Sequence, residues 1–310
     1  MALGFVFPGQ GSQSLGMLAE LGESYAVVKS TYHQASEVLG YDLWEVVQAG
    51  PKEKLDDTSC TQPAMLAAGV AVWRVWQELN GPTPTVLAGH SLGEYTALVC
   101  SGALSFETAI KLVEQRGLFM QAAVPAGQGA MAAILGLSDD DVVALCQETA
   151  SGQVVEAVNF NSPGQVVIAG DGEAVNRAIK AAKDKGAKRA LPLPVSVPSH
   201  CLLMKPAAEK LENYLRDITI KTAAIPVIGN VDVATYNEPD QIKDALIRQL
   251  YRPVRWVETI KRMSDEGVEQ IVECGPGKVL AGLNKRIDKN ITALPVLDSA
   301  SLDKAIAALR

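Results

Sequence analysis

Residues 85–101 read TVLAGHSLGEYTALVCS, and the fold of the chain is best predicted outward from this stretch. Residues 85–88 are typical of a short buried strand, and residues 92–101 have helical character. Between them, residues 89–93 match G-x-S-x-G, the nucleophile elbow, whose small flanking residues let the chain turn sharply and present a serine hydroxyl. A tight turn with incidental glycines is the alternative. The strand before and the helix after favour Ser91 as a nucleophile at a positive helix end.

A serine nucleophile needs a base, and the chain contains three histidines. His33 lies in a polar helical segment and is predicted to be a surface residue. His90 is adjacent to Ser91, and neighbouring side chains on a turn diverge, so we expect it to brace the elbow. By elimination His200, in the proline-flanked sequence 198–200, is the predicted base.

The order of these residues differs from that of an ordinary α/β-hydrolase, in which the serine is followed by an acid and then by a histidine near the C-terminus. Here 110 residues follow His200. No acid that would orient the His200 ring can be identified from spacing, and a backbone carbonyl is an alternative partner. The backbone N–H of Leu92 is placed to stabilise an oxyanion.

Arg116 lies toward the end of a predicted helix over residues 106–119. Most arginines on such helices are solvated, which is the ordinary interpretation. The neighbouring residues are mainly uncharged, and this suits a buried guanidinium that binds a carboxylate through two parallel hydrogen bonds.

Short strand-like runs alternate with helical patterns along most of the chain, which predicts an α/β fold. Residues 3–7 read as a buried strand and residues 63–79 as a central helix that starts with Pro63. Residues 128–197 follow the order βαββαβ, typical of a ferredoxin-like unit. We therefore predict a small subdomain over 128–197, inserted into a large α/β core formed by 1–127 and 198–310. Its strands are predicted over 130–135, 154–158, 166–169 and 188–193, and its helices over 139–149 and 173–185.

Charge and composition limit the possible partners. The chain has 28 Lys plus Arg and 35 Asp plus Glu, a net charge of −7. This balance gives no global attraction to nucleic acid or to an anionic membrane. Residues 9–11 (GQG) resemble half of a dinucleotide fingerprint, but position 14 is serine, so nucleotide binding is weakly supported.

The five cysteines, at 60, 100, 146, 201 and 274, lack CxxC spacing. Neither a zinc site nor a disulfide framework is indicated, and a reducing cytoplasm fits best. No secretory signal is predicted, because the first 19 residues lack a Lys/Arg start and a continuous apolar stretch. No membrane span is predicted, because the longest uncharged window is interrupted by proline and glycine.

Five ordered motifs resemble a known family. They are residues 7–13 (FPGQGSQ), 61–64 (TQPA), 89–94 (GHSLGE), 115–117 (QRG) and 198–200 (PSH). In order and spacing they resemble the malonyl-CoA:acyl carrier protein transacylases of bacterial type II fatty acid synthesis. Asn159, Asn161 and residues 273–277 (ECGPG) extend the likeness toward the C-terminus. The resemblance implies a hydrolase-like core with a parallel sheet and an inserted ferredoxin-like subdomain.

The resemblance also implies a reaction and a set of roles. Ser91 would take malonyl from malonyl-CoA and pass it to the phosphopantetheine thiol of acyl carrier protein by a ping-pong mechanism, with His200 as base and acid. The remaining implied roles are the carbonyl of Gln249 orienting His200, the N–H groups of Gln10 and Leu92 as oxyanion hole, Arg116 binding the malonyl carboxylate, and Gln62 lining that pocket.

Such thioester exchange requires no metal or redox cofactor, and we expect a cytoplasmic monomer. An acidic carrier protein would need a local positive patch, for which Arg189 and Arg286 are the candidates. Three alternatives stay open. They are a serine hydrolase such as a thioesterase or lipase, a polyketide-pathway acyltransferase, and a non-enzymatic module that binds carrier protein.

Overall fold

The computed structural model describes residues 2–195 and 197–309, and it is a mixed α/β fold with two separate sheets. The strands are β1 (Ala2–Phe7), β2 (Val86–Gly89), β3 (Gly129–Leu135), β4 (Val155–Ser162), β5 (Gln165–Asp171), β6 (Arg189–Pro192), β7 (Val227–Ile228), β8 (Val268–Cys274) and β9 (Thr292–Val296). The helices are α1 (Ala19–Ser24), α2 (Ala26–Leu39), α3 (Leu43–Ala49), α4 (Lys52–Asp56), α5 (Thr58–Glu78), α6 (Gly93–Cys100), α7 (Phe106–Ala123), α8 (Asp139–Thr149), α9 (Gly172–Asp184), α10 (Lys205–Leu215), α11 (Pro239–Gln249), α12 (Trp256–Asp265), α13 (Val279–Ile287) and α14 (Ser299–Leu309).

The larger sheet is parallel, with strand order β7-β2-β1-β8-β9. β1 lies between β2 and β8, so the chain builds the sheet outward from β1 in both directions. In open parallel sheets, ligands bind beyond the carboxyl ends of the strands where the strand order reverses. The loops that follow β1 and β2 meet at this place.

Side chains alternate between the two faces of the parallel sheet, and helices cover both faces. Phe5 and Phe7 of β1 pack with the core that contains α5, whereas Val6 packs with the core that contains α12 and α13. Both cores are buried, as expected for a parallel sheet. Across the described chain, no helix combines the length and the hydropathy needed to cross a bilayer.

The start of α5 differs from the sequence prediction. The helix begins at Thr58 rather than at Pro63, and the Asp57 side chain caps it by accepting a hydrogen bond from the backbone N–H of Ser59. Pro63 therefore lies inside the helix. The sequence analysis relied on proline's preference for the first turn and overlooked the capping aspartate.

The smaller sheet is antiparallel, with strand order β4-β5-β3-β6 and the chain order βαββαβ. Helices α8 and α9 cover one face. Met131, Val158 and Cys201 are among the buried residues on the other face. β4 continues to Ser162, four residues further than predicted, because only residues 163–164 form the turn.

β4 of the antiparallel sheet is hydrogen-bonded to the loop before α12, where Val254 packs in the same core as Val6 of the parallel sheet. The backbone N–H of Phe160 donates to the carbonyl of Val254 (3.0 Å), and the N–H of Val254 donates to the carbonyl of Val158 (2.8 Å). The predicted domain bounds stay a prediction. Three of the residues that they include, Met1, Ser196 and Arg310, lie outside the described part of the chain.

The elbow is a place of very close backbone approach. Ser91 has φ = 52°, in the left-handed region that residues with a Cβ rarely adopt. A Cβ on Gly89 would lie 1.8 Å from the carbonyl carbon of Gly93, and one on Gly93 would lie 2.0 Å from the carbonyl oxygen of Phe7. Both glycines of the motif are therefore required for α6 to begin directly against β1.

We predict that Gly93→Ala destabilises the protein by roughly 3 kcal/mol or more, because the added methyl group forces α6 and β1 apart. The control is Gly282→Ala in α13, where a Cβ meets nothing within 4 Å. That change should raise stability by about 0.5–1 kcal/mol through helix propensity. Urea unfolding of both variants measures the difference, and equal stabilities would contradict the packing described for the elbow.

Candidate active site

The structure brings Ser91 and His200 together although they are 109 positions apart in the chain. Ser91 Oγ lies 2.8 Å from His200 Nε2. On the other side of the ring, Nδ1 lies 2.7 Å from the backbone carbonyl oxygen of Gln249. A carbonyl accepts only, so Nδ1 carries the ring proton and Nε2 accepts from the serine hydroxyl. His200 is also held in the left-handed region, with φ = 68°.

The electrostatic environment keeps His200 neutral. Burial, followed by the nearby positive charge of Arg116, lowers the pKa of His200 to about 3. An imidazole with this pKa is unprotonated at neutral pH and is available to accept the serine proton. The hydrogen bond to the Gln249 carbonyl opposes the shift without reversing it.

Asn230 stabilises the elbow through two hydrogen bonds, and the sequence analysis did not identify it. The backbone N–H of Ser91 donates to Asn230 Oδ1 (2.7 Å), and Asn230 Nδ2 donates to the carbonyl of Gly89 (2.7 Å). Asn230 is fully buried just after β7. No local motif marks it, because its partners are about 140 residues away in the chain.

Two residues from different loops bring backbone N–H groups to the cavity at Ser91. Gln10 follows β1, and Leu92 follows the serine; both residues line the same cavity as Ser91. Within residues 2–195 and 197–309, neither N–H group has a hydrogen-bond acceptor. Two free N–H donors beside a nucleophile are what an oxyanion hole requires.

Arg116 of α7 is buried directly beside the nucleophile, with 1% of its surface exposed. Its Nη1 donates to Gln62 Oε1 (2.8 Å), and its Nη2 donates to Gln249 Oε1 (3.0 Å) and lies 3.3 Å from Ser91 Oγ. Its Cζ lies 5.3 Å from the centre of the Tyr95 ring. Burial lowers the pKa of Arg116. All three hydrogen-bond partners are uncharged, so the guanidinium keeps a positive charge that no direct ion pair neutralises.

Gln62 is fully buried in α5 and accepts a hydrogen bond from the guanidinium of Arg116, which itself lines the cavity. Its implied role in lining the malonyl pocket stays a prediction. Its Nε2 donates weakly to Met120 Sδ (3.5 Å). Gln62 therefore contacts the site through Arg116.

Glu94 is a second residue to which the sequence analysis gave no role. Its carboxylate is buried in the first turn of α6, and Oε2 accepts from Gln249 Nε2 (2.7 Å) and from the backbone N–H of Asn230 (3.1 Å). Burial raises the pKa of Glu94 to about 7. The signal that could have identified Glu94 is that it is charged whereas the other residues of α6 are uncharged.

The other two histidines lie where the elimination placed them. His33 is exposed on α2 beside Glu37. His90 Nε2 lies 2.8 Å from Asn161 Oδ1, and its ring centre is 5.5 Å from that of Trp256. His90 thus connects the elbow to β4 and points away from the serine hydroxyl.

The cavity at Ser91 has a volume of about 100 Å³, which is room for about three water molecules or a small acyl group. One side is formed by residues near the parallel sheet and α7, including Gln10 and Arg116. The other side is formed by residues from the antiparallel sheet and the segment after it, including Met131, Asn159 and Leu193. The site therefore lies between the two sheets.

Arg189 and Arg286 lie outside this cavity. Arg189 begins β6 and is exposed. Arg286, also exposed, is in the last turn of α13 and donates from Nη1 to Gln165 Oε1 (2.9 Å). Leu135 pairs with both Arg189 and Gln165, so the two arginines lie near one end of the antiparallel sheet.

A comparison with protein-family models identifies the family of the chain. The model described as an acyl transferase domain matches residues 4–299. The chain belongs to the acyl transferase family. Among curated acyl transferases, the malonyl CoA-acyl carrier protein transacylase of Escherichia coli (strain K12) is 57% identical over 302 residues, which cover 97% of this chain and 98% of that protein. The enzyme of the same name from Bacillus subtilis (strain 168) is 46% identical over 99% of this chain and 97% of that protein.

Solved acyl transferase structures agree over nearly the whole chain. An acyl carrier protein S-malonyltransferase from Vibrio cholerae is 61% identical, with a TM-score of 0.96, and the match covers 98% of this chain and 100% of that one. A malonyl-transacylase solved in complex with a type II PKS acyl-carrier protein is 56% identical, with a TM-score of 0.98, over 99% of this chain and 100% of that one.

The low pKa of His200 leads to a prediction about pH. The rate at which an uncharged fluorophosphonate modifies Ser91 should stay level from about pH 8 to about pH 5.5, because His200 remains neutral far below the usual histidine pKa of about 6.5. Reactions quenched at timed intervals at each pH measure this rate. Glu94→Gln is the control, because Glu94 is a buried group close to the site whose pKa of about 7 falls in the same pH range. A loss of rate near pH 6.5 that persists in Glu94→Gln would contradict the prediction.

Proposed function

We propose that this chain transfers the malonyl group of malonyl-CoA to the phosphopantetheine thiol of acyl carrier protein, and so supplies extender units for fatty acid synthesis. The observation that carries the proposal is the buried guanidinium of Arg116, whose Nη2 lies 3.3 Å from Ser91 Oγ. This distance places a receptor for a carboxylate directly beside the nucleophile. The names of the relatives and of the solved structures support the same substrates.

In the first half-reaction, Ser91 Oγ attacks the thioester carbonyl of malonyl-CoA while His200 Nε2 takes the hydroxyl proton. The N–H groups of Gln10 and Leu92 stabilise the tetrahedral oxyanion. When the carbon–sulfur bond breaks, His200 returns the proton to the sulfur of coenzyme A. The product is a malonyl ester on Ser91 and a free coenzyme A thiol.

In the second half-reaction, the thiol of the carrier's phosphopantetheine arm replaces coenzyme A. His200 takes the thiol proton as the sulfur attacks the ester, and it returns the proton to Ser91 Oγ as the ester bond breaks. The enzyme is regenerated, which makes the scheme ping-pong. Each step uses side chains and backbone groups of this chain, and we propose that no metal or redox cofactor takes part.

Arg116 selects the acyl group in this scheme. A malonyl carboxylate would receive charge-assisted hydrogen bonds from the guanidinium, whereas an acetyl group would leave that charge unpaired in a buried site. Gln62 and Gln249 hold the guanidinium in place through their amide oxygens. The fork geometry of arginine suits the two oxygens of a carboxylate.

We also propose that the chain has a ferredoxin-like subdomain and a hydrolase-like core, and that it is cytoplasmic. The order of the antiparallel sheet, read as β6-β3-β5-β4, is fourth, first, third and second strand of that unit, which supports a ferredoxin-like subdomain over 128–197. The elbow after β2 of a parallel sheet supports a hydrolase-like core over 1–127 and 198–310. The five cysteines are free thiols, which supports a cytoplasmic enzyme. A monomer remains our expectation.

The carrier of a polyketide pathway is a second candidate acceptor. One solved relative, 56% identical to this chain, was captured with a type II PKS acyl-carrier protein. The chemistry at Ser91 would be the same for either carrier. Parallel transfer assays with a fatty acid and a polyketide carrier protein, each in its phosphopantetheine form, decide which acceptor this chain prefers.

The carrier protein is proposed to dock near Arg189 and Arg286. Both side chains are exposed at one end of the antiparallel sheet, whose residues Met131 and Asn159 line the cavity. A positive patch at this position would attract an acidic carrier although the chain carries −7 overall.

Mass spectrometry of the intact protein tests the proposed function. Mixing with malonyl-CoA should produce a malonyl adduct on Ser91, and adding phosphopantetheinylated carrier protein should remove it. Ser91→Ala should form no adduct, and His200→Ala should form it about 10² to 10⁴ times more slowly. An adduct that water removes as fast as carrier protein does would identify a hydrolase instead.

The second prediction for this reaction concerns acyl selectivity. Arg116→Ala should lower kcat/KM for malonyl-CoA by about a hundredfold or more, and kcat/KM for acetyl-CoA much less, because only malonyl carries the partner carboxylate. Arg74→Ala is the matched control, since Arg74 is also a helical arginine bonded to uncharged groups, Thr31 and Gln34, but is remote from Ser91. Equal losses with both substrates would assign Arg116 a structural role.

The docking proposal predicts that Arg189→Ala/Arg286→Ala raises KM for carrier protein several-fold and weakens its salt dependence, because the lost attraction is screened over about 8 Å at physiological ionic strength. Arg216→Ala/Lys304→Ala removes the same charge from two other exposed positions and is the control. If both double variants change KM and its salt slope equally, the arginines near the antiparallel sheet do not form the docking site.

A further inference from the structure

Glu94 is a buried acid that the proposed reaction does not use. It is 4% exposed and lies three residues after the nucleophile, in the first turn of α6. A helix N-terminus favours a negative charge, but a buried carboxylate still needs hydrogen-bond donors. Its donors are the Gln249 side chain and the backbone N–H of Asn230.

Those contacts determine which way the Gln249 amide points. Gln249 Nε2 donates to Glu94 Oε2 (2.7 Å) and to the backbone carbonyl of Ser91 (3.0 Å). A backbone carbonyl can only accept, and Glu94 Oε2 already accepts from the backbone N–H of Asn230, so the amide nitrogen belongs on this side and the amide oxygen on the other. The oxygen is thereby directed at Arg116, whose Nη2 donates to it at 3.0 Å.

The reversed amide would be unfavourable on both sides. Its NH₂ group would face the donors of Arg116, and its oxygen would face the oxygens of Glu94 and Ser91. Without the Glu94 acceptor, the Ser91 carbonyl is the acceptor that remains on that side, so the amide is held in its orientation less strongly. Each turn of the amide would remove one of the two amide oxygens that hold the guanidinium of Arg116.

We propose that Glu94 is a positioning residue for malonyl recognition, which acts by fixing the Gln249 amide so that its oxygen anchors Arg116 beside Ser91. This inference rests on the proposed function. Gln249 also keeps the carboxylate of Glu94 from pairing directly with the guanidinium. The positive charge therefore stays available for the carboxylate of the substrate.

Two conservative substitutions separate acceptor geometry from charge. Both hydrogen bonds to Glu94 fall on the same oxygen, Oε2, so the single amide oxygen of Glu94→Gln can accept both. Glu94→Asp keeps the charge but is shorter by one carbon–carbon bond of about 1.5 Å. Its carboxylate would lie about 4 Å from Gln249 Nε2, beyond hydrogen-bond distance.

The experiment measures kcat/KM with malonyl-CoA and with acetyl-CoA, using phosphopantetheinylated carrier protein as acceptor, for the wild type and both variants. Glu94→Gln should keep the malonyl-to-acetyl ratio within about threefold of the wild type. Glu94→Asp should lower that ratio by about tenfold, with most of the change in the malonyl KM. In an Arg116→Ala background, Glu94→Asp should cause no further change in the ratio, since the two residues act in one chain of contacts.

Thermal unfolding of each variant is the control that every protein in the comparison is folded. A ratio that Glu94→Asp leaves unchanged, or equal losses with both substrates, would overturn the positioning role. A ratio lowered by Glu94→Gln and kept by Glu94→Asp would also overturn it, by assigning the effect to charge. Failure of the wild type to form a malonyl ester on Ser91 would contradict the proposed function as well, and mass spectrometry identifies that outcome separately.

Discussion

The positive charge buried at Arg116 is the constraint on which the rest of the site depends. Removing a guanidinium from water is costly unless its N–H groups find acceptors. Here the acceptors are amide oxygens and a hydroxyl, so the charge is stabilised without being neutralised by a direct ion pair. The same charge helps to keep His200 neutral. It also gives a physical reason for orienting His200 with a carbonyl: an acidic partner at Gln249 would lie within reach of Arg116 and would pair with it.

The fold brings these groups together by placing loops in unusually close contact. Gly9 lies against the carbonyl of His90, where a Cβ would come within 2.5 Å of the oxygen. This approach sets the loop after β1 beside the loop after β2. Ser91 and His200 both have positive φ, a strain that costs of order 1–3 kcal/mol for each residue. Hydrogen bonds from Ser91 to Asn230 and from the His200 ring to Gln249 hold these conformations.

The sequence predicted the features that local chemistry encodes. The α/β alternation, the βαββαβ order and the elbow follow from hydrophobic patterning and glycine spacing, and the choice of His200 followed from there being three histidines. The role of the Gln249 carbonyl and the function of the chain were predicted from the family resemblance. Asn230 and the role of Glu94 were missed, because their meaning depends on partners more than 130 residues away. The start of α5 was misplaced because a side-chain cap competed with a proline signal. Gln62 was expected to line the malonyl pocket, and its hydrogen bond to Arg116 depends on tertiary packing that no local motif encodes.

The order in which the contacts lie along the chain has a consequence for synthesis. Arg116 precedes Gln249 by 133 residues, and Ser91 precedes Asn230 by 139. At about 5–20 residues per second, a ribosome takes roughly 7 to 28 seconds to cover either interval. During that time the nascent chain holds a nucleophile whose elbow is unsupported and a guanidinium without one of its anchors. β8, which pairs with β1, emerges later still. A chain released before residue 249 therefore has no complete site, which delays acyl transfer until translation is nearly finished.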